Sequence, residues 1–271
     1  MNKNLYIIKN FDIPLWIKYW LLKRNKLPNE YQKVEYIQSS GTQYINTGIK
    51  VNTTNSRYET KINPSVVSGA SGIFGSRNNN LASDSSSANV FIINGAFRLD
   101  WLVGAAYTVN NIFPNTEYTI SITRGLATIN NVDYTSEQTT SVNSLYTFYI
   151  GNFNNAGRPY SNGFSGKIYY SKLYNNNILV FDGVPCYRKS DNVAGLYDLV
   201  SNTFYTNQGT GNFIVGPIKE NESISRSNTD VETNETLQIN NIDKNILLNE
   251  REFSNDENET EFSNYDDDEE E

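Results

Sequence analysis

Side chains that move protons or attack carbon are scarce in this sequence. It contains no histidine and a single cysteine, Cys186. A histidine general base, a serine or cysteine triad of the usual kind and a histidine metal ligand are therefore excluded. So are an intrachain disulfide and a thiolate metal cluster. Glycoside hydrolysis needs two carboxylates flanking one bond, about 5 Å apart in retaining enzymes and farther apart in inverting ones. Between Pro28 and Pro217 the acidic residues are scattered, and the only pair at strand spacing is Asp133 and Glu137 in VDYTSEQ, which reads as a polar turn. The expectation is a protein that is not an enzyme. With no histidine to activate it, Cys186 reads as a small buried filler.

Binding chemistry is better supplied. Sugar C–H faces stack on aromatic rings, and sugar hydroxyls pair with amides, carboxylates and guanidinium groups. Nineteen tyrosines and a large stock of asparagine provide those types. The densest local set is Phe153, Asn154, Asn155, Arg158, Tyr160 and Asn162 in NFNNAGRPYSNG. A second is Arg98, Asp100 and Trp101. The competing reading of either is an asparagine-filled loop with an aromatic anchoring it to the core. The glycine-rich Gly69–Gly75 (GASGIFG) lacks a following Lys-Ser/Thr and reads as a turn, not a phosphate loop.

Three regions must position these residues. Met1–Leu27 holds a candidate helix: Asp12 can cap it, and Ile13, Trp16, Ile17, Trp20 and Leu21 form one apolar stripe. That stripe suits packing on its own domain, docking onto a partner or lying on a membrane surface. Lys18 breaks the apolar run far short of a membrane span, and the pattern is not that of a secretory signal. Pro28–Pro217 alternates short β-branched or aromatic runs with Gly, Asn and Ser clusters. Examples are YINTGIKV, VFII, YTISIT, LATINNV, LYTFYI and GKIYYSKLY. A period of two with regular turn signals indicates an all-β sandwich or barrel. Ser76–Asn89 reads as an exposed loop, Pro185-Cys186 as a strand exit and Ser201-Asn202 as a hairpin connection. Ile218–Glu271 carries 18 acidic and 4 basic residues, leaving a net charge of +6 on residues 1–217. Its composition predicts a disordered acidic tail, with Ile239–Leu248 as an apolar patch that either stays solvated or binds a partner. The modest positive charge of the body, with no long basic run, does not indicate nucleic acid.

Two blocks add a resemblance: LPNEYQKVEYIQSSGTQYINTGIKVN (Leu27–Asn52) and VPCYRKSDNVAGLYDLVSNTFYTNQGTGNF (Val184–Phe213). They resemble the start and end of concanavalin-A-like, laminin-G-like jelly-roll domains of phage structural proteins and gut-bacterial surface proteins. The resemblance implies a two-sheet antiparallel sandwich over residues 28–217 with its first and last strands close together. Laminin-G-like domains often hold one Ca²⁺, for which Asp84, Asp100, Asp182 and Asp191 are the oxygen donors near loops. No loop concentrates them, so no metal or cofactor is assigned. The resemblance further implies a virion structural or decoration protein, meeting other virion proteins through its N-terminal segment, with a host-surface glycan as a candidate ligand. The alternative is a glycan-binding adhesion module on a bacterial surface or secreted. Self-association is left open.

Overall fold

The computed structural model describes residues 26–78, 87–101, 107–136 and 141–219. Every regular element in them is a strand. The helix expected around Asp12–Leu21 and the tail from residue 220 onward lie outside the described residues.

The strands run β1 (Tyr31–Lys33), β2 (Ile37–Ser40), β3 (Ile45–Asn46), β4 (Ser56–Pro64), β5 (Ala70–Arg77), β6 (Ser87–Ile93) and β7 (Ala96–Leu99). Then come β8 (Thr108–Asn110), β9 (Tyr118–Thr123), β10 (Leu126–Ile129), β11 (Val132–Thr135), β12 (Tyr149–Ile150) and β13 (Asn154–Asn155). The last are β14 (Arg158–Pro159), β15 (Ser165–Asn175), β16 (Ile178–Arg188), β17 (Ala194–Asp198), β18 (Thr203–Thr206) and β19 (Ile214–Val215). The larger sheet follows the order β11-β10-β9-β4-β15-β16-β17-β18, with β1 on β16, β2 on β15 and β19 on β2. The smaller follows β14-β13-β5-β6-β7-β8, with β12 joining β5 to β3. All these pairings are antiparallel except β13 against β5. The domain is the two-sheet jelly-roll sandwich that the sequence leads one to expect. Its ends also meet as implied: β19 pairs with β2, and Val34 bridges Ile218.

Alternation builds the interior. In β4 the side chains of Ser56, Tyr58, Thr60 and Ile62 are buried while Arg57, Glu59, Lys61 and Asn63 face outward. Tyr118, Ile120 and Ile122 of β9 turn inward beside them. Phe148 is fully buried at the centre, its ring 4.8 Å from Tyr58, 6.0 Å from Phe74 and 5.9 Å from Trp101.

Asparagine is spent largely on turns. Of the ten non-glycine residues with positive φ among the described residues, nine are asparagine, the residue that tolerates this conformation best after glycine. Asn130 and Asn131 (φ 49° and 65°) split the run LATINNV into the hairpin β10–β11, where a single strand is expected from its apolar content. Asn202 (φ 54°) does the same between β17 and β18, as expected of Ser201-Asn202.

Other expectations are corrected. Most of Gly69–Gly75 is strand, not turn, because it forms the start of β5. Ser76–Asn89 is not simply an exposed loop: Ser76, Arg77, Ser87, Ala88 and Asn89 are buried where β5 meets β6. Pro185-Cys186 lies inside β16, not at its exit. Pro185 falls between the stretches of that edge bound by β15 and by β1, so its missing N–H leaves no ladder bond unmade. Strand pairing covers only Ile45–Asn46 of YINTGIKV and Tyr149–Ile150 of LYTFYI. Among the described residues no helix is long and apolar enough to cross a membrane.

Candidate functional site

The smaller sheet joins the two residue sets singled out in the sequence. Its outer face carries Asn89 and Phe91 of β6, Arg98 of β7, Asp100 and, from β5, Arg77. The Asp100 carboxylate accepts from Arg77 Nη2 at 3.0 Å and from Arg98 Nε at 2.8 Å. The Arg77 guanidinium lies 4.8 Å from the centre of the Phe153 ring, and Phe153 stacks on Tyr160 at 4.7 Å. Arg98 lies over Phe91, which meets Phe153 at 6.0 Å. Arg77 is therefore the hinge between the sets. Alternation along β5 beyond its bulge would have pointed to it, had the segment not read as a loop.

Much of this cluster is closed. Phe153, Asn154, Asp100 and Trp101 are each no more than 3% exposed, and Arg77 is 5% exposed. Trp101 faces the core against Phe148. Asn154 builds its own turn, donating to Thr147 O and accepting from Gly157 N. Asn155 is half-buried opposite Arg77. The loop fits because β5 has glycine beneath it: a Cβ on Gly72 would sit 2.7 Å from Asn152 Oδ1 and 2.8 Å from the Phe153 ring. Arg158 and Asn162 are exposed together with Gly157, Pro159 and Ser161, and Tyr160 is half-buried, so of the six residues singled out here Arg158 and Asn162 are the ones open to solvent. The arrangement is a buried ion network that clamps a loop.

The larger sheet carries an open groove of about 600 Å³ on its outer face. Tyr169, Tyr170, Lys172 and Tyr174 of β15 line it with Lys33, Glu35, Asp182 and Lys219. A bulge creates this tyrosine row. Register against β4 slips between Ile168 and Tyr170, so both Tyr169 and Tyr170 escape the core before alternation resumes at Ser171. The broken period in IYYSKLY was the sequence signal for it, and apart from Asp182, considered there for calcium, the residues of this groove were not singled out.

The rings are held from the sides. Lys61 Nζ lies 4.8 Å from the Tyr169 ring centre and pairs with Glu117 at 2.6 Å. Arg57 lies 3.8 Å over Tyr174, whose hydroxyl donates to Glu59 Oε2. Tyr36 meets Tyr169 edge-on at 5.6 Å and has Lys167 Nζ 4.4 Å from its own ring centre. Burial, reinforced by the Glu117 acceptor, pushes the Tyr169 hydroxyl up to about 12. Burial also raises Tyr170, so both rings keep their protons near neutrality. The Asp182 carboxyl is raised by burial against the opposing pull of Lys172, 3.3 Å away. Lys33 and Lys219 have no ion-pair partner among the described residues. The groove thus offers neutral aromatic faces between cations and carboxylates.

The described carboxylates among those considered for calcium are each held by a cation. Asp100 is held by two arginines, Asp182 by Lys172 and Asp191 by Arg188. Asp84 lies outside the described residues. Among the described residues no three histidine, cysteine or acidic side chains are grouped to hold an ion. Asp133 sits on exposed β11 accepting from Thr128, and Glu137 is outside the described residues. Cys186 is completely buried, and burial pushes its thiol up to about 12. It is expected to resist a thiol reagent at pH 8 in the native protein and to react stoichiometrically in denaturant. Rapid native labelling would contradict its placement.

No protein-family model matches the sequence, and no curated protein matches it. Among solved structures, the chain is similar to a candidate carbohydrate-binding protein of Bacteroides ovatus at 14% identity and TM-score 0.42, covering 68% of this chain and 60% of that one. It is similar to the mouse laminin α1 domains LG4–5 at 11% identity and TM-score 0.42, covering 70% and 47%. It is also similar to the CBM40 module of a Ruminococcus gnavus IT-sialidase at 11% identity and TM-score 0.37, covering 52% and 89%. The chain thus spans less than two thirds of the first of these. All three are jelly rolls of the concanavalin-A, laminin-G kind. The sandwich rests on its own strand pairing, and no site is carried over from these distant likenesses.

Proposed function

We propose that this chain is a non-enzymatic glycan-binding module whose ligand lies along the groove of the larger sheet. The observation that carries this reading is the bulge-made row of Tyr169 and Tyr170, flanked by Lys33, Lys172, Lys219, Glu35 and Asp182. A sugar ring presents a C–H face to aromatic rings and hydroxyls to charged and amide groups, and the groove supplies both. Its volume of about 600 Å³ suits a few sugar units. The closed Arg77–Asp100 cluster offers no such face.

The test begins with immobilised bacterial polysaccharides and continues by titrating the strongest binder. Tyr170→Ala is expected to weaken binding at least tenfold, about 1.4 kcal/mol, while Arg158→Ala leaves it unchanged. The reverse pattern would move the site to the loop. Glu35 and Asp182 share the groove, so the same mixtures are assayed for new reducing ends. Their appearance would overturn the non-enzymatic part of the reading.

The setting we propose is a phage particle, supported by the two sequence blocks at Leu27–Asn52 and Val184–Phe213. Neighbouring capsid, portal or tail genes are expected. A neighbouring sortase or secretion gene would favour a bacterial surface instead.

A further inference from the structure

The edge strand β19 leaves a row of apolar side chains in water. Ile214 is 60% exposed, Val215 39% and Ile218 60%. Scattered exposed aliphatics are ordinary, but three within five residues along one free edge form a patch that asks for a cover. Among the described residues β19 pairs on one side only, with β2. The chain enters the domain at the same place: Val34 bridges Ile218, and Lys219 N donates to Lys33 O at 3.1 Å.

We propose that the N-terminal segment of this same chain, residues 12–21, covers the β19 edge. Its apolar residues Ile13, Trp16, Ile17, Trp20 and Leu21 repeat at three and four, the spacing of a one-sided helix. A helix over ten residues is about 15 Å long, and the five residues from Ile214 of β19 to the bridge at Ile218, at the rise of an extended chain, span about 16 Å. Twelve residues lie between Leu21 and Val34, more than enough to turn the segment back onto the edge beside which the chain enters. The cover meets two needs at once. It buries apolar surface on both partners, and it blocks an edge that would otherwise template pairing with another chain.

The three tryptophans report on this directly, because Trp101 is buried in the core and the other two, Trp16 and Trp20, lie in the segment. In the full chain all three are expected to emit at short wavelength and to resist acrylamide. The double substitution Ile214→Glu with Ile218→Glu is expected to red-shift the emission and raise the quenching constant at least twofold, with the circular dichroism of the sheets unchanged. Wild-type tryptophans already open to acrylamide would overturn the proposal. So would protection that survives the double substitution, or protection that develops only on adding lipid vesicles. Hydrogen exchange on the unaltered chain is an independent readout. Slow exchange at residues 214–218 is expected, and exchange at the rate of an open edge would count against the cover even if the double variant fails to fold.

Discussion

Replacing Asp100 with alanine is expected to cost about 3–5 kcal/mol of stability, the usual penalty for removing one partner of a buried ion pair. Asp100 is 3% exposed and is the carboxylate that both Arg77 and Arg98 reach. Arg77 is itself 5% exposed, so its charge would be left in low dielectric with only the faces of Phe91 and Phe153 for company. A loss of this size is a large fraction of the roughly 5–15 kcal/mol that holds a typical domain together. The denaturant midpoint reads it. Because the exposed Arg158 and Asn162 make no comparable contact, their alanine variants are expected to stay within about 0.5 kcal/mol of the parent. A loss below about 1 kcal/mol for Asp100→Ala would mean that water reaches the cluster, reopening the outer face of the smaller sheet as a binding surface.

Phe148→Ala is the second large effect, expected at about 3–5 kcal/mol from lost burial plus the cavity left behind. The ring is completely buried and touches Tyr58 of the larger sheet together with Phe74 of the smaller. It also lies at the end of a connection tied down by Thr47, which donates to Phe148 O through both its backbone and its hydroxyl. Its removal therefore loosens the contact between the layers, while the backbone carbonyl that Thr47 holds is kept. Equilibrium unfolding measures the loss, and a cost under about 1.5 kcal/mol would show that the two sheets meet mainly elsewhere.

Local period carried much of the fold in the sequence. Tyr118, Ile120 and Ile122 alternate in YTISIT because one face of β9 is buried and the other is wet, and β9 forms over that run. Reading failed where burial occurs on both faces. Ser76-Arg77 and Ser87–Asn89 look like loop by composition, yet the loop that follows β12 covers Arg77 with the Phe153 ring and an ion pair to Asp100 holds its guanidinium. Asn130-Asn131 hid a hairpin inside what reads as one run, since positive φ is a property of the backbone that only the residue type hints at. The candidate site was legible only in part. Arg98, Asp100, Phe153 and Tyr160 do come together, but their meeting point, Arg77, lies 21 residues upstream of Arg98 and joins them by strand pairing. The groove escaped notice for the same reason: Lys33, Tyr170, Asp182 and Lys219 are neighbours only after β1, β15 and β16 pair and the segment after β19 returns along them. What sequence could show there was the single lapse of alternation at Tyr169-Tyr170.

The central claim is that ligand binding belongs to the tyrosine row of the larger sheet. A backbone amide NMR titration of the intact chain with its strongest-binding oligosaccharide tests it most directly. Saturable shifts confined to Lys33–Glu35, Tyr169–Tyr174 and the facing residues of β16 are predicted. Shifts centred on Arg158, Tyr160 and Asn162, with the tyrosine row silent, would contradict it.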